Sequence, residues 1–317
     1  MASWSTDRHM SHPFGTLHLV VNTRSGNGSA TKALPELRSL LEAEGLDHEI
    51  HLTTARGHAR ELAGHLVNEG VRYIAAVGGD GTVHEVANGL VDNHGRLLRP
   101  DVVLAVISAG SGCDFARTFG LDRPLARLVR RHLSTTDTTE LDLGHISYVE
   151  DGQAKESFFV NIAEVGWGAE VVKKAERLPR FIGRLRYLLA AYGAIRSVNR
   201  QQTTIQLEHT QATVELVELV VANGQFFGGG MKVAPRALPA DGLFNVLAFT
   251  GNRSQVFTLT PKLYQGEHLP NPQIAEWQSR TVDLAPTDPM LVEADGELLG
   301  RTPARFDVIS NALALKI

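Results

Sequence analysis

The sequence predicts two domains of different fold class, an α/β domain with a parallel sheet followed by an all-β sandwich domain. Up to about residue 143, short apolar runs alternate with stretches of helical periodicity, which is typical of a parallel sheet with helices on both faces. Beyond that point, β-branched and alternating runs separated by turn residues indicate antiparallel strands. We therefore place the domains at residues 12–143 and 144–317, and we leave open whether the last strands return to the first domain.

Composition and charge narrow the classes of protein that fit. Of the 317 residues, 43% are hydrophobic and 21% are charged, as in an ordinary soluble globular protein, and the net charge of −4 does not suggest a nucleic-acid partner. The single cysteine, Cys113, excludes an internal disulfide and fits a reducing compartment. Residues 1–13 lack the apolar core of a signal peptide, and the longest apolar runs, such as 187–195, are too short to span a bilayer. These features predict a cytoplasmic protein.

The N-terminal domain is predicted to contain four strands with helices between them. The strands are expected at residues 16–22, 47–52, 71–77 and 101–108, and the helices at 30–45, 57–70 and 83–90. Ligands of such sheets bind beyond the carboxyl ends of the strands. Each strand runs into a segment rich in glycine, hydroxyl or basic side chains, namely residues 22–28, 53–58, 78–82 and 108–117. Four such segments at one edge of the sheet predict a binding site.

The C-terminal domain is predicted to contain short strands interrupted by one helical insertion at about 169–199. The strand-like runs lie at residues 158–166, 203–209, 213–224, 243–249, 280–286, 290–297, 304–310 and 312–317.

The stretch Gly78-Gly79-Asp80-Gly81-Thr82 ends a buried apolar strand and leads directly into a helix. Glycine weakens packed elements, so three glycines here indicate that something approaches the backbone closely. The amides of Gly79, Gly81 and Thr82 could bind phosphate oxygens at the helix N-terminus. Asp80 would repel a bare phosphate, so its presence favours a divalent cation between the two. A glycine-eased turn with Asp80 as a helix cap is the simpler alternative.

Other polar residues suggest parts of the same site. Ser111 and Asp114 follow the fourth strand, where Asp114 could also be a helix cap, and Asp142 lies in an apolar run where a carboxylate needs a partner. Asp295 and Glu297 flank a glycine. A hairpin is the simpler interpretation of that turn, and a general base is the functional one.

Four motifs together resemble the diacylglycerol kinase catalytic domain. They are GGDGTVHEV from residue 78, GSGCDFAR from residue 110, the segment 222–242 and DGE from residue 295. The family of lipid kinases that share these motifs includes soluble bacterial diacylglycerol kinases, sphingosine kinases and ceramide kinases. NAD kinases and phosphofructokinases share something like the first motif, but the four in this order are specific. The resemblance implies a phosphofructokinase- or NAD-kinase-like N-terminal domain and an active site in the cleft before the sandwich.

The resemblance also implies roles for individual residues. The residues implied to line the ATP site are Asn22, Thr23, Arg24, Ser25, Gly26, Thr53, Gly79, Asp80, Gly81, Thr82, Val83, His84, Glu85 and Ser111. Asp80, Asp114 and Asp142 would hold a catalytic Mg²⁺, largely through water, and Asp241 a structural Mg²⁺ with the carbonyls of Leu238 and Leu243. Glu297 would accept the proton, with Asp295 beside it. The chain departs from the family pattern at Cys113, Ser111 and Asn245, which replace asparagine, threonine and an acid.

The hypothesis from the sequence is ATP- and Mg²⁺-dependent phosphorylation of a lipid hydroxyl, with diacylglycerol as the first candidate and a sphingoid base as the second. Phosphorylation of NAD and a non-catalytic lipid- or nucleotide-binding role are the alternatives from other classes. Residues 171–200 carry eight basic residues against one acid, interleaved with apolar ones. This predicts peripheral contact with an anionic membrane, unless the segment packs on the sandwich with a solvated basic face. The sequence is compatible with a homodimer and contains no motif for oligomeric state.

Overall fold

The computed structural model of the protein describes residues 12–109, 113–178, 185–194, 199–252 and 255–317. Within these ranges, fifteen strands form one continuous sheet that is parallel in the N-terminal half and mainly antiparallel in the C-terminal half. No helix in the described ranges is long and apolar enough to cross a membrane.

The N-terminal half contains the four parallel strands that the sequence predicts. They are β1 (Leu17–Val21), β2 (His48–Leu52), β3 (Tyr73–Gly78) and β4 (Val103–Ser108), in the order β4-β3-β1-β2. The helices between them are α1 (Ser29–Ala43), α2 (His58–Asn68) and α3 (Asp80–Gly89). Every residue of β3 is buried because helices and neighbouring strands surround it, which explains its uninterrupted apolar run. The carboxyl ends of these strands therefore lie along one edge of the sheet.

Among the described residues, two short helices follow the fourth strand and three more helices lie in the C-terminal half. The helices are α4 (Asp114–Thr118), α5 (Leu125–Leu128), α6 (Trp167–Glu176), α7 (Leu185–Ala194) and α8 (Gln255–Gln265). A π-helical turn, Val129–Leu133, continues α5. The predicted helical insertion corresponds to α6 and α7, although 179–184 and 195–198 lie outside the described residues. The sequence did not predict α8, which contains Pro261 in its interior.

The C-terminal half is built from eleven further strands in the described residues. They are β5 (Thr138–Glu150), β6 (Gln153–Phe159), β7 (Ile162–Gly166), β8 (Gln201–Leu207), β9 (Gln211–Leu216), β10 (Glu218–Ala222), β11 (Phe244–Phe249), β12 (Ile274–Ser279), β13 (Thr281–Pro286), β14 (Leu291–Ala294) and β15 (Glu297–Lys316). The predicted run 158–166 divides between β6 and β7, and 213–224 divides between β9 and β10. The strand β12 was not predicted.

The sandwich encloses an aromatic core. Phe159, Phe244 and Phe306 come from three different strands and are fully buried, with ring centroids 5.6 Å apart for Phe159 and Phe244 and 6.4 Å apart for Phe159 and Phe306. Aliphatic side chains such as Leu284 and Val292 complete this core. In β8 and β13 buried residues alternate with more exposed ones, so their period-two pattern reflects burial of one face. The central strands β7, β10 and β11 are buried on both faces, because their other face packs in a second apolar cluster.

The longest strand, β15, joins the sandwich to the parallel sheet. Its beginning pairs with β14, its middle with β13 and β5, and its end runs parallel to β4 through Ala314 and Val103. The sequence predicts two separate strands here, but irregularities in register at Arg301–Arg305 and Ile309–Leu313 bend one strand without ending it. The strand β5 runs through residue 143 without a break. The domain boundary predicted at that position stays a prediction.

Candidate active site

The glycine-rich turn between β3 and α3 contains glycines of two kinds. A Cβ atom on Gly78 would overlap the side chain of Thr82, so internal packing requires glycine at that position. A Cβ on Gly79 or Gly81 would meet only ordinary contacts, 3.6 Å from Ser25 Oγ and 3.8 Å from Glu297 Oε1. The protein's own packing therefore does not explain the glycines at 79 and 81. They leave open space at the N-terminus of α3, where no side-chain hydrogen bond caps the helix.

The loops after β1 and β2 lie against this turn. Asn22 donates from Nδ2 to Thr82 Oγ1 at 3.1 Å and accepts the Arg24 amide at 3.0 Å. Thr23 donates to the Thr53 carbonyl at 3.3 Å. These hydrogen bonds bring three of the four predicted strand ends together around the N-terminus of α3. A helix N-terminus with uncapped amides and no Cβ at two positions can bind phosphate oxygens.

The structure places four other residues predicted for the nucleotide site in different surroundings or outside the described ranges. The Glu85 carboxylate accepts the amides of Gly57 and Ala59 at 3.0 and 3.1 Å, which caps the N-terminus of α2. Val83 is fully buried in the core. Gly26 has a φ of +55° in the short helix before α1 and is exposed. Ser111 lies outside the described residues.

The Asp80 carboxylate orders the segment after β4. It accepts the Phe115 amide at 2.9 Å, the Asp114 amide at 3.2 Å and the Cys113 thiol at 3.2 Å. Burial raises the pKa of Asp80, and these three hydrogen bonds oppose that rise. Cys113, which departs from the family's asparagine, thus still supplies a donor to Asp80. The simpler alternative, in which Asp80 caps the helix that follows the glycine-rich turn, is wrong, because the carboxylate accepts amides at the start of α4 and no side-chain hydrogen bond caps α3.

The Asp114 carboxylate connects the two halves of the protein. It accepts from Arg117 at 3.0 Å and from the amide of Gly229, in the triple-glycine stretch of the C-terminal half, at 2.6 Å. A Cβ on Gly230 would approach the Arg117 guanidinium closely. The motif with Asp114 and Arg117 and the triple-glycine motif are distant in the sequence, and this contact brings them together.

Asp142 lies against a different turn from Asp80 and Asp114. It is fully buried and accepts the amides of Gly242 at 2.7 Å and Asn311 at 2.8 Å. Asp241 lies close enough that the Asp142 charge adds to burial in raising the pKa of Asp241. In the described part of the chain, the three predicted magnesium carboxylates do not form a compact group of ligand atoms.

The donor set fits a hydrated Mg²⁺ better than a direct carboxylate cage. Mg²⁺ commonly keeps several waters and takes one or two carboxylates together with substrate phosphates. Carboxylate oxygens accept more than one hydrogen bond each, so those of Asp80 and Asp114 can also accept from metal-bound water beside the phosphate space. For the predicted structural ion, Asp241 is exposed and accepts the Leu243 amide, while the Leu238 carbonyl accepts the Asp241 amide at 3.4 Å. Both magnesium sites stay predictions.

The Asp295-Gly296 turn connects β14 to β15, and both residues have positive φ, +50° and +84°. This is the hairpin that the sequence predicts. The Asp295 carboxylate is buried and accepts the amides of Val160, Asn161 and Ile162 at 2.9 to 3.2 Å, together with His84 Nδ1 at 2.9 Å. Because four donors occupy it, Asp295 is better suited to positioning the turn than to accepting a proton.

Glu297 is the acid of this turn that lies beside the N-terminus of α3. Its carboxylate lies beside Gly81 and forms an ion pair with Arg56 from the loop after β2. Arg56 also lies 4.0 Å from Glu176, the last residue of α6. Arg56 and Arg117 were not predicted as site residues, although both belong to the polar segments at the strand ends.

An apolar cavity of about 190 Å³ lies in the C-terminal half, between β7 and β10 on one side and α6, α7 and α8 on the other. Trp167, Val220, Leu259 and Leu263 are among its lining residues. Gly229, whose amide binds Asp114, also lines it. The cavity therefore reaches a loop that contacts the predicted metal and phosphate site.

Three glutamates from neighbouring strands meet beside this cavity. Glu164 and Glu293 are opposite one another in register, Glu218 is on the adjacent strand, and Glu164 and Glu218 line the cavity. Burial, followed by the charges of its two neighbours, raises the pKa of Glu164 well above its ordinary value. Burial also raises the pKa of Glu218 to about 7 and that of Glu293 to about 8. The carboxyl groups thus hold shared protons at neutral pH.

Comparison with known proteins agrees with this geometry. The family model for the diacylglycerol kinase catalytic domain matches residues 16–146, and the model for the YegS C-terminal NAD kinase beta sandwich-like domain matches 161–317. The fold and site define a kinase catalytic unit with a β-sandwich partner. The chain belongs to the diacylglycerol kinase catalytic-domain family of lipid kinases, in which ATP is the phosphoryl donor.

Named relatives cover nearly the whole chain. A diacylglycerol kinase of Mycobacterium tuberculosis is 27% identical, with 95% of each chain covered. A "Probable lipid kinase YegS-like" of Klebsiella pneumoniae is 25% identical, with 92% of this chain and 94% of that protein covered. The crystal structure of a diacylglycerol kinase from Bacillus anthracis shares the fold with a TM-score of 0.71 at 21% identity, covering 95% of this chain and 96% of that one.

The two kinds of glycine lead to a prediction. Gly78→Ala should destabilise the protein by roughly 1–3 kcal/mol, because the new methyl group overlaps Thr82. Gly81→Ala should leave stability within about 1 kcal/mol, because alanine suits the first turn of α3, but it should weaken ATP binding. Urea unfolding and nucleotide-binding titrations on both variants check this contrast. Unchanged ATP affinity in Gly81→Ala would show that phosphate does not approach this amide.

The glutamate cluster predicts a pH-dependent stability. The ordinary pKa of these glutamates is 4.5, so the unfolded chain loses protons that the folded protein retains until about pH 8. The free energy of unfolding should therefore fall between about pH 5 and pH 8. Glu293→Gln should be more stable than the parent by about 1–2 kcal/mol at pH 8 and nearly equal at pH 5.

Chemical denaturation at the two pH values measures the difference. Glu215→Gln is the matched control, because Glu215 is exposed on β9 and should leave the pH dependence as it is. An equal effect of Glu293→Gln at both pH values would mean that Glu293 is ionised throughout.

Proposed function

We propose that the protein transfers the γ-phosphoryl group of ATP to the hydroxyl of a membrane lipid in a Mg²⁺-dependent reaction, with diacylglycerol as the first candidate and phosphatidic acid as the product. The observation that carries the proposal is the apolar cavity that reaches Gly229, whose amide binds Asp114. An apolar site adjoining a phosphate site fits a substrate with acyl chains and a reactive polar end. NAD has no comparable apolar portion.

The N-terminal half would bind the nucleotide. The uncapped amides at the start of α3 would bind phosphate oxygens, and the loops of Asn22 and Thr23 would form the rim of that site. When bound, ATP supplies the phosphoryl group and Mg²⁺ neutralises its charge. Asp80 and Asp114 would hold the ion through water, and their hydrogen bonds to α4 and Gly229 fix their position. Such transfers depend chiefly on positioning and charge neutralisation.

Glu297 would accept the proton of the lipid hydroxyl. Its side chain is partly exposed and lies beside Gly81, so it can reach a group placed between the turn and the cavity. The Glu297 carboxylate forms an ion pair with Arg56. Phosphate groups at the helix N-terminus would attract the Arg56 guanidinium, which would release the Glu297 carboxylate for proton transfer.

One observation favours the second candidate, a sphingoid base. Glu164 and Glu218 place two carboxyl groups in the wall of an otherwise apolar cavity. A long-chain substrate with a protonated amine near its polar end could bind one of these carboxyl groups once that carboxyl group has lost its proton. Diacylglycerol has no amine and leaves these carboxyls to share protons with one another.

The reaction is tested by phosphate transfer from labelled ATP to a lipid panel in mixed micelles. Diacylglycerol, monoacylglycerol, sphingosine, ceramide and NAD are offered separately, with and without Mg²⁺. We expect labelled diacylglycerol, and a loss of roughly 10²–10⁴-fold in kcat for Glu297→Gln with an unchanged fold. Glu176→Gln is the matched control, because Glu176 lies near the same arginine at the end of α6 and should retain activity.

The outcomes separate the alternatives. Labelled sphingosine alone would identify the second candidate, and labelled NAD would overturn the lipid assignment. ATP binding without any labelled acceptor would favour a non-catalytic role, and full activity of Glu297→Gln would refute its role as the base.

Contact with a membrane is proposed at α7. Leu189 and Tyr192 are exposed there, 47% and 63% of their surface, while Ala191 of the same helix lines the cavity. Lys174 and Trp167 of α6 hold α7 through its last carbonyls, at Gly193 and Ala194. Of the basic residues in 171–200, Arg180, Arg184 and Arg196 lie outside the described residues. The cytoplasmic location and a homodimer stay predictions.

Replacing both exposed side chains, Leu189→Glu with Tyr192→Glu, should weaken sedimentation with anionic vesicles and lower activity on vesicle-embedded lipid at least about tenfold. Activity on detergent-dispersed lipid should stay near the parent value. Leu98→Glu, at an exposed leucine of the N-terminal half, is the control. Equal loss on both lipid forms would place the defect in catalysis or folding.

A further inference from the structure

A compact group of three side chains of the types that bind transition metals lies on β1 and β2 of the parallel sheet. His18 is the second residue of β1, and Glu49 and His51 are in β2. In the parallel register His18 pairs with Glu49, and Val20 pairs with His51. Because paired residues project to the same face of a sheet, these three side chains lie together on one face. None of them belongs to the proposed nucleotide or lipid site.

The ligand atoms are close to the spacing that a transition metal requires. His18 Nδ1 lies 3.0 Å from His51 Nε2, and Glu49 Oε2 lies 3.7 Å from the first nitrogen and 4.0 Å from the second. Ligand atoms 2.0–2.2 Å from a tetrahedral zinc ion lie about 3.3–3.6 Å apart. Shifts of a few tenths of an ångström would convert the observed group into three ligands of one ion.

The surroundings of His18 favour the neutral imidazole, which is the form that binds metal. The two rings are half-buried and nearly parallel, with centroids 5.2 Å apart and an interplanar angle of 9°. Burial lowers the pKa of His18, with the neighbouring His51 acting in the same direction and Glu49 and Glu69 against it. Glu49 is largely exposed, so the carboxylate approaches from the solvent side and leaves room for water as a fourth ligand.

We propose that His18, Glu49 and His51 form a binding site for a borderline transition-metal ion, Zn²⁺ in the first place. Two imidazoles and one carboxylate suit Zn²⁺, Co²⁺ or Ni²⁺, whereas Mg²⁺ prefers an all-oxygen set. The site is therefore chemically distinct from the magnesium chemistry of phosphoryl transfer. A bound ion would connect the edge strand β2 to β1, and these strands lead into Thr53 and Asn22 at the nucleotide rim.

A hydrogen bond between two neutral histidines is the competing explanation of the 3.0 Å contact. It needs one N–H donor and one acceptor nitrogen, and it leaves Glu49 without a function. The metal explanation uses all three side chains. The two explanations differ in what happens when Zn²⁺ is added.

The test uses the full, tag-free chain, treated with a chelator, dialysed, and kept in excess Mg²⁺. Titration with Zn²⁺ in a calorimeter should give one site per chain with micromolar affinity, and Zn²⁺ should raise the thermal midpoint by several degrees. Co²⁺ should give the visible absorption of a tetrahedral complex. His51→Ala and His18→Ala should each weaken Zn²⁺ binding at least about tenfold. Glu49→Gln is a third variant, and because Glu49 is largely exposed, this substitution should not disturb folding.

His48→Ala is the matched control, because His48 is on the same strand but projects to the opposite face. It should bind Zn²⁺ like the parent chain. The chain has 13 histidines, so weak surface binding is expected as a background. Equal Zn²⁺ affinity and stoichiometry in the parent and in the His18→Ala/His51→Ala double variant would overturn the proposal, and so would equal loss in His48→Ala. Calorimetric titration, the thermal midpoint and the Co²⁺ absorption do not depend on kinase activity.

Discussion

The buried Asp295 carboxylate is the interaction on which the arrangement of the two halves depends. It accepts the three consecutive amides that lead from the end of β6 into β7, and it also contacts His84 of α3. A buried carboxylate is costly unless it is fully hydrogen-bonded, so these four donors must stay in place together. The turn that contains Asp295 also leads into Glu297. One carboxylate therefore fixes the distance between the proposed base in the sandwich and the phosphate site at the start of α3.

Hydrogen bonds from backbone amides to a carboxylate recur throughout the cleft. Acidic side chains accept backbone amides from segments distant in sequence: Asp80 from residues 114 and 115, Glu85 from residues 57 and 59, Asp114 from residue 229, and Asp142 from residues 242 and 311. Hydrogen bonds to charged acceptors are stronger than neutral ones, and amides are donors that the chain always has available. These carboxylates can thus hold loops in position.

The cavity and the glutamate cluster show the opposite use of acidic groups. Glu164, Glu218 and Glu293 meet in a space with few donors, so their carboxyls share protons instead of accepting amides. Two amides nevertheless donate to the cluster, that of Gly168 to Glu218 and that of Gly296 to Glu293 at 2.9 Å. The second links the cluster to the turn between Asp295 and Glu297. A charge change beside the apolar cavity would therefore act on the turn that carries the proposed base.

The sequence by itself determined the fold class, the parallel strands of the first half and the place of the glycine-rich site. These features depend on periodicity and on glycine, which are local properties of the chain. Only the tertiary structure decided which glycine is needed by packing, since the overlap at Gly78 involves the Thr82 side chain. It also decided that Asp142 lies with Gly242 and Asn311 instead of with Asp80, and that one strand, β15, replaces two. Partners of a side chain and bulges in a strand depend on contacts between distant segments, which no local pattern records.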